Sequence, residues 1–335
     1  SGGGVMTQLM RKRDAISLPA DTGVLFVHMI NPWGLAWNRR ENEDNIDLYR
    51  NFLYCEPPFA ENPEFDALAD ALTPSAWSGA VRDEADRTIA DFVERHGRKE
   101  LIRIIRTGQH RHPRSLTYHG NGPTWSKRIV DRIADGWLAR CQRIAVLDFH
   151  TGYGPPGEGL IMSYDQPGSP GYAWLNDWFG EVHVVGRDPR IPLHSRMPYD
   201  IIGDRVPTAE VRVAALEYGT VADQQMDVDL NRESNFYHLR GDPLSPEGRD
   251  VQKRFRARYY VETDEWKSRV LARGEEVFLD ALAGLSAWAA TGWQAQCERS
   301  TKEDGSLALS HSPQRGKVQT VSGLVEPADW PDADA

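Results

Sequence analysis

The stretch RIAVLDFHTGYG, residues 143–154, decides how the chain is read. Its first part is a nearly continuous apolar run, the pattern of a strand covered on both faces. The run then takes up Asp148 and His150, two residues apart and therefore on the same face of a strand. Thr151-Gly152 follows, where the backbone is free to turn sharply. Working outward, three more runs have the same character: VLFVHMI (24–30), EVHVVG (181–186) and VRVAALEYG (211–219). Between them, PEFDALADAL (63–72) and the stretch 81–97 space their apolar residues three and four apart, and the second ends at Gly97. Pro123 opens a third helical pattern over 123–141, and Ser245-Pro246-Glu247 opens a long one over roughly 246–290. Strands that alternate with helices predict an α/β fold, with helices on both faces of a mostly parallel sheet.

The bulk numbers bound the function. The chain has 335 residues, 40% hydrophobic and 26% charged, an ordinary globular composition with room for a large core. A net charge of −10 argues against a nucleic-acid partner, which selects a basic face. No apolar run approaches the ~20 residues of a membrane span, and the opening SGGGVMTQLMRKRD, with no long apolar core, does not read as a secretion signal. Cys55, Cys141 and Cys297 are odd in number and form no C-x-x-C pair, so a reduced, cytoplasmic protein is expected. Residues 1–298 read as one domain, and 299–335 as a polar, loosely ordered tail.

Four segments gather polar groups at strand ends, where open α/β sheets place ligands. In DFHTG, Asp148 can orient His150 as a metal ligand or as a base, and a hydrogen-bonded structural histidine fits the spacing as well. In NPWGLAWNRRENEDNIDLYRNF (31–52), Arg39, Arg40 and Arg50 mix with Asp44 and Asp47. The guanidinium fork suits carboxylate recognition, although a charge run is more often a solvated loop. In LEYGT (216–220), Glu217 closes an apolar strand, where desolvation raises a carboxyl pKa and suits a general base. TGQHRHPRSLTYHGNGPTW (107–125) carries His110, His112 and His119 at no familiar metal spacing and reads as a substrate-facing loop. Gly152-x-Gly154-x-x-Gly157 mimics a dinucleotide fingerprint, but Pro155 and Pro156 stand where amide donors are needed. A P-loop, a G-x-S-x-G elbow and a nucleophile placed for a serine or cysteine hydrolase are all lacking.

Taken in order, Asn31-Pro32-x-Gly34, Asp47-Leu48-Tyr49-Arg50-Asn51-Phe52, Asp148-x-His150-Thr151-Gly152 and Glu217-x-Gly219-Thr220 resemble the motifs of zinc carboxypeptidase-like proteins, a superfamily that includes aspartoacylase-type amidohydrolases. The resemblance covers roughly residues 1–290. It implies a three-layer α/β/α sandwich around a mixed sheet, and a zinc-dependent hydrolase of amide or peptide bonds near a carboxylate. By that likeness His150 is a Zn2+ ligand with Asp148 beside it, and Glu217 is the base that activates water. Arg50 resembles the arginine that grips a substrate carboxylate; Arg40, or else Arg39, resembles the one that polarises the scissile carbonyl. Two departures stand out. Tyr49 replaces the family's Asn in D-L-N-R-N-F, which removes an amide from the carboxylate site. None of the ten histidines is followed three residues later by Glu, so H-x-x-E, the source of two further zinc ligands, does not occur in these 335 residues. An N-terminally incomplete catalytic domain is the expectation this raises, with a non-catalytic relative that binds carboxylate ligands as the alternative. Oligomeric state has no readable signal.

Overall fold

The computed structural model describes residues 1–59, 61–184, 198–220 and 227–303, the last fourteen of these by backbone alone. Its centre is the quoted stretch. Strand β1 (Arg143–Pro156) lies parallel to β4 (Glu210–Gly219); β4 is antiparallel to β2 (Gly159–Ser163), and β2 is parallel to β3 (Val182–Val184). The order β1-β4-β2-β3 makes a mixed sheet in which two of the three pairings are parallel.

Twelve α-helices surround the sheet among the described residues. In chain order they are α1 (Gly2–Arg11), α2 (Pro32–Trp37), α3 (Leu48–Tyr54), α4 (Pro63–Leu72), α5 (Gly79–His96) and α6 (Arg98–Thr107). Then come α7 (Trp125–Ile133), α8 (Pro170–Phe179), α9 (Ile201–Arg205), α10 (Val228–Leu239), α11 (Pro246–Tyr259) and α12 (Asp264–Glu303). Strand parity sorts the layers. Ala145, Leu147 and Phe149 of β1 share a face with Ala214, Leu216 and Tyr218 of β4, and α1, α8 and α12 cover it through Val5, Trp178 and Val277. The opposite parity, Ile144 and Val146 with Val211, packs against Leu48 and Phe52 of α3, Val130 of α7 and Ile202 of α9. Each fully buried apolar side chain in these layers contributes roughly 1.5–3 kcal/mol. The result is the three-layer arrangement expected. Asp148 and His150 continue the second parity beyond the apolar residues, so they point to the α3 side where the β1–β4 pair ends.

Several elements follow from local chemistry. Asn62 caps α4 by accepting from Phe65 N–H at 3.1 Å, with Pro63 in the first turn. Thr124 does the same for α7, whose expected span to 141 is interrupted by a π-turn at Ala134–Leu138. Helix α6, RKELIRIIRT, is additional to the expected elements; it packs Leu101, Ile104 and Ile105 against Phe65 and Leu72 of α4. The single helix expected over 246–290 is two, broken by extended backbone at Tyr260. Helix α12 runs to Glu303, past the start of the expected tail at 299, and 304–335 lie outside the described residues. The 181–186 run forms only β3; Val185 and Gly186 also lie outside them.

The expected strand over 24–30 is a correction. Val24 and Phe26 pack on the α1–α12 side, and Ile30 packs on the α3 side. Leu25 and Met29 remain 44% and 47% exposed, and Met29 takes a left-handed φ of 57°. The run is apolar because half of it is packed against the core, yet no strand pairs with it among the described residues. No helix among the described residues is long and apolar enough to cross a membrane.

Candidate functional site

The site forms where β1 and β4 end side by side. His150 and Glu217 are register partners. Past Thr151 the register shifts and β1 bulges through Gly152 and Gly154, lifting the loop over the strand ends. Gly152 has φ of 134°, and a Cβ there would press on the Tyr259 ring at 3.1 Å, so this position favours glycine. The bulge also aims the Tyr153 N–H at Glu217 Oε1, 3.2 Å away.

His150 Nε2 meets Asp148 Oδ2 at 2.5 Å. Burial alone would lower the imidazole pKa, but the Asp148 charge and hydrogen bond, joined by Glu217, push it up to about 9. Without metal, His150 therefore holds its second proton at neutral pH. Glu217 is raised above the usual carboxylate range because burial outweighs the pull of His150 and the Tyr153 hydrogen bond. A carboxylate of raised pKa at a strand end suits proton acceptance.

Helix α3 supplies the other half. Asp47 caps it, accepting from Arg50 N–H at 3.3 Å. The same carboxylate binds Arg50 Nη1 and, at 3.1 Å, Arg40 Nη2. Burial alone would raise Asp47, but Arg50 and then Arg40 hold it below the ordinary range. Arg50 is 6% exposed. Its Nη2 donates to the Arg106 carbonyl at 2.5 Å, and its stem lies against Gly108, where a Cβ would stand 2.6 Å from Arg50 Cδ. Gly108 also has φ of 82°. Arg40 stays 40% exposed and lies within charge reach of Tyr259.

The two consecutive arginines separate. Arg39 is buried, with Nη2 at 2.9 Å from Glu41 and 2.7 Å from Asn45 Oδ1, in a polar cluster with Asn235. That places Arg39 in the packing and leaves Arg40 partly in solvent. Tyr49 is half-buried, its hydroxyl 3.4 Å from that of Tyr164, and its field reaches both Arg50 and Asp148. Burial, then Tyr164, pushes its pKa far above the ordinary phenol value, so it stays a neutral hydroxyl. Asp148, His150 and Glu217 thus converge with Tyr49, Arg50 and Arg40, while Arg39 does not join them.

The three histidines of the 107–125 loop scatter. His112 binds Asp66 at 2.8 Å. His119 is buried, its Nδ1 donates to the Gly120 carbonyl at 3.0 Å, and its ring lies 5.8 Å from that of His110. Asn51 clamps this loop to α3 by donating to the His119 and Gly122 carbonyls at 2.8 and 2.9 Å. Sequence reasoning did not single out Arg106 or Tyr259. The signal for Arg106 was its place just before Thr107-Gly108, at the end of a helix the apolar pattern had not declared.

A catalytic zinc takes three protein ligands. Among the described residues no group of three or more His, Cys, Asp or Glu side chains is arranged to hold a metal ion. His150, tied to Asp148, offers one imidazole and does not complete a zinc shell with these neighbours.

Residues 1–273 match the family described as "Protein of unknown function (DUF2817)". The chain belongs to this family. The match takes in every DUF2817 segment that builds the site, from the Arg40 loop through Glu217 to Tyr259. A search of the curated proteins and a search of the solved structures each gave no match.

Proposed function

We propose that the chain forms the carboxylate-recognising and proton-accepting part of a zinc-dependent, cytoplasmic hydrolase of amide or peptide bonds near a carboxylate. The observation that carries this reading is the convergence of two units: the Asp148–His150–Glu217 strand ends, and the Arg40–Asp47–Arg50 ladder on α3. Glu217, its pKa raised by burial, takes a proton from the attacking water. Arg40, half in solvent and anchored by Asp47, donates to the carbonyl oxygen as negative charge develops there. Arg50 adds fixed positive charge below the substrate's carboxylate end. The resemblance to zinc carboxypeptidase-like proteins implies zinc at His150. The donors among the described residues do not complete that ion's shell, so each of these roles rests on the chain's own side chains.

The incomplete donor set also supports a second reading, a relative that binds carboxylate ligands without turnover. Glu217→Gln separates the two. In a hydrolase it abolishes release of amine from N-acyl amino acids while ligand binding persists. In a binding protein the wild type releases no amine in the first place.

A further inference from the structure

The arginines that the motifs single out are already occupied. Arg39 is paired with Glu41, and Arg40 with Asp47 and Glu41. Arg50 is paired with Asp47, and His150 with Asp148. A substrate carboxylate that approached any of these would compete with a carboxylate already in place. Arg50 is also fixed in position, held by Asp47 and the Arg106 carbonyl and blocked along its stem by the close approach of Gly108.

Arg106 differs on each count. It closes α6 as the penultimate helical residue, and its backbone is pinned to the site by the Arg50 hydrogen bond at 2.5 Å. Its side chain is exposed and, among the described residues, has no hydrogen bond or ion pair. Its charge bears on Glu217 and on Arg50 alike, so the guanidinium lies within electrostatic reach of both the base and the arginine ladder.

We infer that Arg106, rather than Arg50, binds the carboxylate of the substrate directly, as the one cationic side chain of this site without a carboxylate partner among the described residues. A free guanidinium offers a planar two-donor fork to a carboxylate, and no internal ion pair is lost when it does so. Arg50 then acts as a positioning residue, holding the Arg106 backbone through its carbonyl. This rests on the carboxylate-directed reading of the site, and it changes which residue makes the contact.

The test is binding of 4-fluorophenylacetate, with the neutral 2-(4-fluorophenyl)ethanol as control, followed by fluorine NMR on the whole chain. Neither compound has an amide to cleave, so the result is independent of turnover. The wild type is expected to prefer the carboxylate. Arg106→Ala should weaken the carboxylate about tenfold, the scale of one charge-assisted contact at a partly solvated site, and leave the alcohol unchanged. Arg106→Lys should recover part of the loss, since it restores the charge without the fork. Unchanged carboxylate binding in Arg106→Ala, equal losses for both probes, or no carboxylate preference in the wild type would each overturn the assignment. Selective loss in a protein without hydrolytic activity would leave the assignment standing and remove the hydrolase reading. Turnover with no effect of Arg106→Ala would do the reverse.

Discussion

Replacing Asp47 by Asn isolates the charge at the centre of the arginine ladder. Asparagine keeps an oxygen to cap α3, so the helix start is preserved. What it removes is the only carboxylate paired with Arg50 among the described residues; Arg50 is 6% exposed and is left with the Arg106 carbonyl. Stranding one partner of a buried pair costs about 3–5 kcal/mol. Arg40, at 40% exposure, can return to water and adds no more than about 1 kcal/mol. Urea unfolding at pH 7 should therefore show Asp47→Asn less stable by about 3–5 kcal/mol, and Arg50→Met in the same background should restore part of it. The pH dependence has a fixed sign. Asp47 is held below its ordinary 3.8 in the folded protein, so its contribution is complete above 3.8 and is lost as pH falls through the lower folded value. The wild-type and Asp47→Asn stabilities should converge only in that acid range. A loss under about 1 kcal/mol at pH 7 would refute the view that Asp47 neutralises a buried cation.

Gly108→Ala combines a left-handed backbone with a clash against the Arg50 stem; a loss of about 1–3 kcal/mol is expected by thermal or urea unfolding, and a neutral result would mean that Arg50 is free to move. His238, packed by Trp33 and Trp37, is lowered to about 4 by burial and then by Arg39, so the unfolded chain binds the extra proton between pH 6.5 and 4. Stability should fall as pH drops through that window, and His238→Phe should flatten the slope; an unchanged slope would reject neutral burial of this ring. Elemental analysis after dialysis against a weak chelator should find well under one zinc per 335-residue chain, because the described donors stop at one imidazole. One tightly held zinc would show that other side chains complete the shell.

The fold was legible where periodicity and packing agree. The runs at 143–149 and 211–219 are strands because each is covered by helices on both faces, and the boundaries of α4 were set by Asn62 and Pro63. The run at 24–30 misled because an apolar pattern reports burial, whereas a strand also needs a neighbour to hydrogen-bond. The break at Tyr260 was hidden because helical propensity continues on both sides of it. At the site, strand spacing alone put Asp148 and His150 on one face, and the ends of β1 and β4 brought Glu217 beside them. The difference between Arg39 and Arg40 was not legible. Adjacent residues in a loop have no periodicity to assign their directions, and only packing shows that one turns into the Asn45–Asn235 cluster and the other toward Asp47 and solvent. Arg106 was missed for a related reason: its relevance depends on its having no ion-pair partner among the described residues, which no sequence pattern records.

The most direct test of the central claim is amine release from N-acetyl amino acids in the presence of added zinc, with wild type and Glu217→Gln compared under the same conditions. The account predicts steady release by the wild type and a rate about 100-fold lower or more for Glu217→Gln, the scale of a lost general base. Equal rates, or no release by a wild type that still binds the carboxylate probe, would contradict it.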